Sequence, residues 1–222
     1  MSLSITWLGH AAFLLEADGL RVLLDPYRAP DAGGYAPINV EADVVLVSHL
    51  NPKYHSHWEA ARGHAVRLNG LDFADDPEGV LVCGVRFQAV GVWESAARDV
   101  PVSMPYFTLG GVSVCHTGDL GHALSGSEAA PLQGVDVLLA VAGGPPTLPV
   151  SDLAVAINLI HPRVVIPMHF GNDKINLPLR PVDDLLALFD PSQVEHRSSA
   201  TLEVSPDALT SETRIVVLPP TC

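Results

Sequence analysis

"DVVLVSHLNPKYHSH", residues 43–57, sets an apolar run of strand length directly against a cluster of histidines. Val44 to Val47 are continuous aliphatics, the pattern of a strand buried on both faces rather than one with a wet side. Ser48-His49 then ends the run, and His55 and His57 follow within a few residues. A buried strand that delivers imidazole at its exit is the first indication of a layered β core with chemistry at its rim.

The same pattern recurs along the chain. His10 follows "ITWLG", Asp25 follows "VLL", His116 and Asp119 follow "VSVC", and His169 follows "VVIPM". One such group would be an ordinary turn residue. Six groups closing strands onto loops imply that the strand ends converge on one polar site. Imidazole and carboxylate are suitable donors for a borderline metal such as zinc.

Strands are expected at "SITWL", "AAFLLEA" and "LRVLLD", with a hairpin-type turn at Asp18-Gly19. Others are expected at 43–48, 79–90, 103–110, 111–116, 135–142 and 163–170, with two more in "ATLEVS" and "RIVVLP". Helices are expected at 151–162, capped by Ser151 or Asp152 and stopped by Pro162, and at 181–191 between two prolines. Strands dominate the first half, and helices alternate with strands in the second. No repeat or linker divides the 222 residues, so two sheets with covering helices in one domain, 1–222, is the simplest architecture.

Composition narrows the classes. Hydrophobic residues are 48% and charged residues 17%, which predicts a compact chain. The formal charge of −13 argues against nucleic acid or an anionic membrane as partner but says little about small substrates; a small-molecule substrate or ligand is the expected partner. A homo-oligomer stays open. The N-terminal stretch has no basic start and no long apolar core, so neither a signal peptide nor a membrane span is expected. Cys83 and Cys115 lie in apolar runs and read as buried thiols, with Cys222 a loose one; this odd, unpatterned set fits a reduced, cytoplasmic setting. Gly143-Gly144 lacks the Lys-Ser/Thr of a phosphate loop, and Ser48 and Ser127 lack a nucleophile-elbow setting.

"ITWLGHAAFLLE…LLDP", "VLVSH", "VCHTGDLGHAL", "GVDVLLAVAGGPPT" and "VVIPMHF" resemble, in order and spacing, the metallo-β-lactamase-fold hydrolases. The branch they resemble most contains the ascorbate-phosphate lactonase and related Zn-dependent hydrolases. The resemblance covers roughly residues 3 to 185. It implies an α+β fold, the four-layer αββα sandwich, with one or two metals at the rim where strands end.

The resemblance also implies a ligand set: a His-x-His-x-Asp-His loop, a third histidine, a bridging aspartate and a final histidine. His49, Asp119 and His169 fall on the first, the bridging and the last positions. Asn51, Lys53 and Tyr54 replace the loop's other ligands, and "GVWESAARD" holds no histidine, leaving Glu94 as the nearby substitute. Lys53 is expected to pair with Asp119 in place of a second metal. His55 joins the metal ligands only if the loop is distorted by one residue, which Pro52 would allow. His10, Asp25, His116 and His122 are expected to support the ligands by hydrogen bonds. His57 reads as a solvated residue, and His64, His161 and His196 have no motif context.

The implied activity is metal-dependent hydrolysis of a lactone, ester or phosphoester, with Asp119 catalytic and Zn or Mn the ion, one rather than two. The alternative is a degenerate member with weak or no metal that serves as a ligand-binding or interaction module. A metal-free hydrolase using Lys53 or a histidine ranks last.

Overall fold

In the computed structural model, which describes residues 2–221, fourteen of sixteen short strands build two facing sheets, the other two pair with each other, and a few helical turns join them. The first third contributes β1 (Leu3–Gly9), β2 (Ala12–Ala17), β3 (Leu20–Leu24), β4 (Val40–Glu41), β5 (Val44–Val47), β6 (Ala61–Arg62) and β7 (Val66–Asn69). The middle contributes β8 (Val80–Val82), β9 (Val85–Trp93), β10 (Pro101–Leu109) and β11 (Val112–His116). The last third adds β12 (Val137–Val141), β13 (Val164–Met168), β14 (Val194–His196), β15 (Thr201–Val204) and β16 (Arg214–Val217). Helices are α1 (Gly126–Ala129), α2 (Val150–Ile160) and α3 (Asp183–Leu186).

One sheet runs β15-β1-β2-β3-β5-β7 and the other β14-β16-β13-β12-β11-β10-β9-β8. The larger core fills the space between them. Ile5, Trp7, Phe13, Leu15 and Leu46 from the first sheet meet Met104, Val114 and Leu139 from the second. Burying each such side chain contributes about 1.5–3 kcal/mol, so this interface dominates the fold's stability. Leu153, Ala156, Ile157 and Ile160 of α2 are buried in the same cluster. A second cluster lies on the other face of the first sheet, where Leu8, Leu23, Val45 and Val47 pack against Tyr27 and Tyr35. That outer layer is made of loop 26–39 and the 3₁₀ turn Trp58–Ala60 rather than of a helix.

Strand direction explains where the chemistry lies. β1 and β3 are each antiparallel to β2, and β5 is parallel to β3. These three strands therefore leave the sheet at the same edge, delivering His10, Asp25 and Ser48-His49 together. In the larger sheet β11, β12 and β13 are parallel. β9 runs the same way, because it is antiparallel to β10, which is antiparallel to β11. Glu94, Asp119, Gly143 and His169 thus follow strand exits at one edge of the second sheet.

Two expected elements differ. The strand expected at 79–90 is a hairpin turning at Cys83-Gly84, both with positive φ, 50° and 80°. A two-residue turn of this kind matches strand twist. Cys83 is therefore exposed at a tip rather than buried, whereas Cys115 is buried as expected. Cys222 lies outside the described residues. The helix expected at 181–191 is a single α-turn, Asp183–Leu186, followed by tighter turns (Leu188 N–H to Leu185 O, Phe189 N–H to Leu186 O), and Asp190, ahead of Pro191, is extended. Among the described residues no helix is long and apolar enough to cross a membrane.

Candidate metal centre

The loop after β5 decides the site. The Asn51 carbonyl accepts hydrogen bonds from the backbone N–H groups of Tyr54, His55 and Ser56, at 3.1, 2.8 and 2.9 Å. Pro52 has no N–H to compete for it. This overwound turn is tied to its neighbour by Arg28 N–H to Lys53 O (2.8 Å) and His57 N–H to Pro26 O (2.9 Å). The consequence is a one-residue shift. Tyr54 stays half-buried, its ring stacked at 5.5 Å on His10, and His55 is the residue driven fully inside.

His55 sits between two carboxylates. Its Nδ1 donates to Asp25 Oδ2 (2.9 Å), and its Nε2 lies 2.8 Å from Asp119 Oδ2 without the alignment of a hydrogen bond. Burial alone would lower the His55 pKa, but Asp119 and Asp25 outweigh it and push it up to about 10. Asp25 also accepts from Ser48 N–H and Ser48 Oγ, both at 2.6 Å, so the carboxylate orients His55 and the β5 exit at once. Burial would raise the Asp25 pKa, yet His116 and the His55 hydrogen bond hold it below the usual range.

Donor atoms converge on both sides of this imidazole. His49, His55 and Asp119 place donors within 4.8 Å of one another, and so do His10, His55 and His169. His49 Nε2, His55 Nε2, Asp119 Oδ1 and both nitrogens of His10 are buried without hydrogen-bond partners. Orphaned buried donors of this kind are rare, because each costs about 1–3 kcal/mol. Burial lowers the pKa of His10, His49 and His169, which keeps those rings neutral with lone pairs available. Burial would raise the Asp119 pKa, but His55 and His169 hold it well below the usual carboxylate range. Nitrogen and carboxylate donors in this state fit a zinc-like or manganese-like ion. His55 has only one ring nitrogen left after Asp25 takes the other, so the two triads compete for a single lone pair.

Backbone strain concentrates at the site. His10, Asp25 and His169 adopt left-handed φ values of 51°, 40° and 52°, which cost non-glycine residues about 1–3 kcal/mol each. The His10 turn is pinned by Trp7 Nε1 and by the backbone N–H of His169, both donating to His10 O at 3.0 Å. The Gly118 turn ahead of Asp119 has φ +55°, and a Cβ there would lie 2.8 Å from both Ser103 O and Ser48 Cβ. Only glycine lets Asp119 approach the β5 exit this closely.

The remaining expectations resolve as follows. His116 donates from Nε2 to Ala11 O (2.8 Å) and accepts at Nδ1 from Gly118 N–H (2.9 Å), so it clamps strand exits and has no nitrogen left for an ion. His122 belongs to neither triad. Its Nδ1 is 2.9 Å from Ala123 O and its Nε2 3.9 Å from Glu128, and the expected support of the ligands is not found. His57 remains near the surface beside Glu59, and His161 ends α2 in a left-handed turn. The pairing of Lys53 with Asp119 is corrected: Lys53 is exposed and has no ion pair among the described residues, and His55 holds the place beside Asp119. His10, expected as a supporting residue, stands within a donor triad. The strict register thus undercounts the site, and the degenerate reading finds no support in the geometry. Its premise was the replacement of ligands at Asn51, Lys53 and Tyr54 and the missing third histidine, whereas His55, one residue on, is the side chain that turns inward.

Over the donors opens a cleft of about 330 Å³, lined in part by Asn51, Tyr54, Glu94, Thr147 and the segment Leu177–Leu179. Burial and then Asp119 raise the pKa of Glu94, which belongs to neither triad. The Leu177–Leu179 wall had no signal in the sequence, because it lies in a loop without periodicity.

The comparisons agree with this geometry. The beta-lactamase superfamily domain matches residues 4–169. A UPF0173 metal-dependent hydrolase of Methanopyrus kandleri is 31% identical over 193 residues, covering 75% of this chain and 84% of the relative. Another UPF0173 metal-dependent hydrolase, from Carboxydothermus hydrogenoformans, is 29% identical over 206 residues, covering 76% and 85%. A crystal structure of a metallo-β-lactamase superfamily protein from Thermotoga maritima superposes with a TM-score of 0.75 at 31% identity, over 99% of this chain and all of that one. By sequence and by fold, this chain belongs to the beta-lactamase superfamily.

Proposed function

We propose that the protein is a metal-dependent hydrolase that acts on a small molecule, a lactone, ester or phosphoester, with one zinc or manganese ion. The observation that carries this reading is the buried set of donors without hydrogen-bond partners: His55 Nε2 and Asp119 Oδ1, whose residues line the cleft, with His49 Nε2 and the His10 ring grouped with them. The relatives described as metal-dependent hydrolases support it.

His49, His55 and Asp119 would hold the ion, with His10 and His169 beside it. A bound divalent ion supplies Lewis acidity and lowers the pKa of a water molecule. The chain's own residues do the rest. Asp25 fixes His55 with Nε2 facing Asp119, so the imidazole is oriented before any ligand arrives. Asp119 stays ionised and can accept a hydrogen bond from the attacking water, setting its direction. The surrounding cleft limits competing water and strengthens these contacts.

Metal analysis of protein purified without chelator tests the reading. About one equivalent per chain is expected, with a gain in melting temperature on adding zinc or manganese. Hydrolysis of 4-nitrophenyl esters should disappear on chelation and return with the ion. No bound metal together with no thermal gain from either ion would refute the proposal.

A further inference from the structure

The cleft's lining says which of those substrates it takes. Its walls above the donors include Leu177, Pro178, Leu179 and Pro146, and its ionisable groups besides the histidines and the Tyr54 phenol are two carboxyls, Glu94 and Asp119. No lysine or arginine lines it among the described residues. The nearest cations in sequence serve elsewhere. Lys53 is exposed, and Arg180 is engaged with Asp184 at 2.5 Å. α2 begins at Val150, and neither Val150 nor Pro149 lines the cleft, so no helix N-terminus is offered to an anion. Phosphate recognition ordinarily draws on guanidinium, ammonium or a run of backbone N–H groups. A charged phosphate entering here would meet the Asp119 and Glu94 carboxyls and no cationic side chain of the cleft lining.

The apolar wall is a fixed part of the fold. Gly171 N–H donates to Arg180 O (2.7 Å) and Arg180 N–H to Gly143 O (2.8 Å), closing the loop at its base. Asn172 Oδ1 accepts from Lys174 N–H (2.9 Å), and its Nδ2 donates to the Tyr35 hydroxyl (2.7 Å). Gly143 explains the close approach. A Cβ there would stand 2.2 Å from His169 O and 3.1 Å from Leu179 Cβ. The double glycine is therefore a spacer that lets the Leu177–Leu179 segment lie against the His169 turn.

From this lining we infer that the substrate is an uncharged carbonyl ester with an apolar arm, a lactone or simple carboxylic ester, and that Leu177 and Leu179 select it against phosphorylated compounds. The inference rests on the hydrolase reading above and narrows it.

The test uses the full-length, zinc-loaded protein and separates binding from turnover. Calorimetry compares 2-pentylcyclopentanone, which keeps a lactone's carbonyl and tail without its ester bond, with pentylphosphonate. Kinetics compare 4-nitrophenyl valerate with 4-nitrophenyl phosphate. The neutral member of each pair should win by on the order of 100-fold, the scale of one unmatched charge beside a carboxylate at intermediate dielectric. Leu179→Arg should reverse the binding preference with zinc still bound. Tighter phosphonate binding, or faster phosphate-ester cleavage, overturns the inference and leaves the hydrolase reading standing. Ketone preference without any ester cleavage supports the inference about the cleft and counts against hydrolysis. Binding of neither ligand overturns the inference as well.

Discussion

Replacing Asp25 by asparagine tests the centre at its most sensitive contact. The Asp25 carboxylate accepts three hydrogen bonds, Ser48 N–H at Oδ1 and Ser48 Oγ and His55 Nδ1 at Oδ2. Asparagine offers one carbonyl oxygen. If that oxygen stays on Ser48 N–H, an NH₂ group replaces Oδ2. Ser48 Oγ can turn to accept from it, but the His55 Nδ1 proton then faces a donor. The ring must either leave that buried proton unpartnered, at about 1–3 kcal/mol, or move it to Nε2 and lose the lone pair that faces Asp119. Loss of such a supporting carboxylate lowers metal affinity by about 10- to 100-fold, which is about 1.4–2.8 kcal/mol. Competition titration against a chromophoric zinc chelator reads this directly, with near-UV circular dichroism confirming that the variant is folded. A folded Asp25→Asn protein that binds zinc as tightly as the natural chain would refute the assignment of His55 as an oriented ligand.

Three further outcomes are expected. His55→Ala should remove most bound zinc while Tyr54→Phe leaves about one equivalent, since Tyr54 only stacks on His10; metal analysis showing the reverse would restore the strict register. In chelator-treated protein, the His55 pKa, pushed up to about 10, exceeds the ~6.5 of an unfolded histidine. A group raised on folding contributes stability that is full below the unfolded value and lost as pH rises through the folded one. The metal-free protein's melting temperature should therefore fall between about pH 6.5 and 10 more steeply than that of His55→Asn, and equal slopes would contradict the Asp25–His55–Asp119 contact. Burial pushes the Cys115 thiol up, whereas Cys83 is exposed at a hairpin tip. At pH 8 a maleimide should thus label Cys83 and spare Cys115 in the native protein, as read by peptide mapping, and equal labelling would argue against the buried placement of β11.

Much of this architecture is written in local pattern. Continuous aliphatic runs of strand length such as Val44–Val47 and Val137–Val141 fit strands covered on both faces, and the polar groups at the ends of several such runs mark the rim. His49, Asp119 and His169 were legible because each lies at or just beyond the end of such a run and falls on a ligand position of the family the chain resembles. What the sequence leaves open depends on turns and on contacts distant in the chain. Tyr54 and His55 are adjacent, and no pattern says which one faces inward. That is decided by the Asn51 carbonyl gathering three N–H groups and by Asp25, thirty positions away, waiting for an imidazole proton. Cys83-Gly84 reads as mid-strand until positive φ values fold it into a hairpin. The wall at Leu177–Leu179 has no periodicity and acquires its place only where Gly143 admits it against the His169 turn. The sequence alone determined that buried strands end in metal-type donors. Which donors meet, and what surrounds them, was decided by the tertiary structure, because a one-residue turn geometry redirects a side chain by far more than its neighbours in sequence reveal.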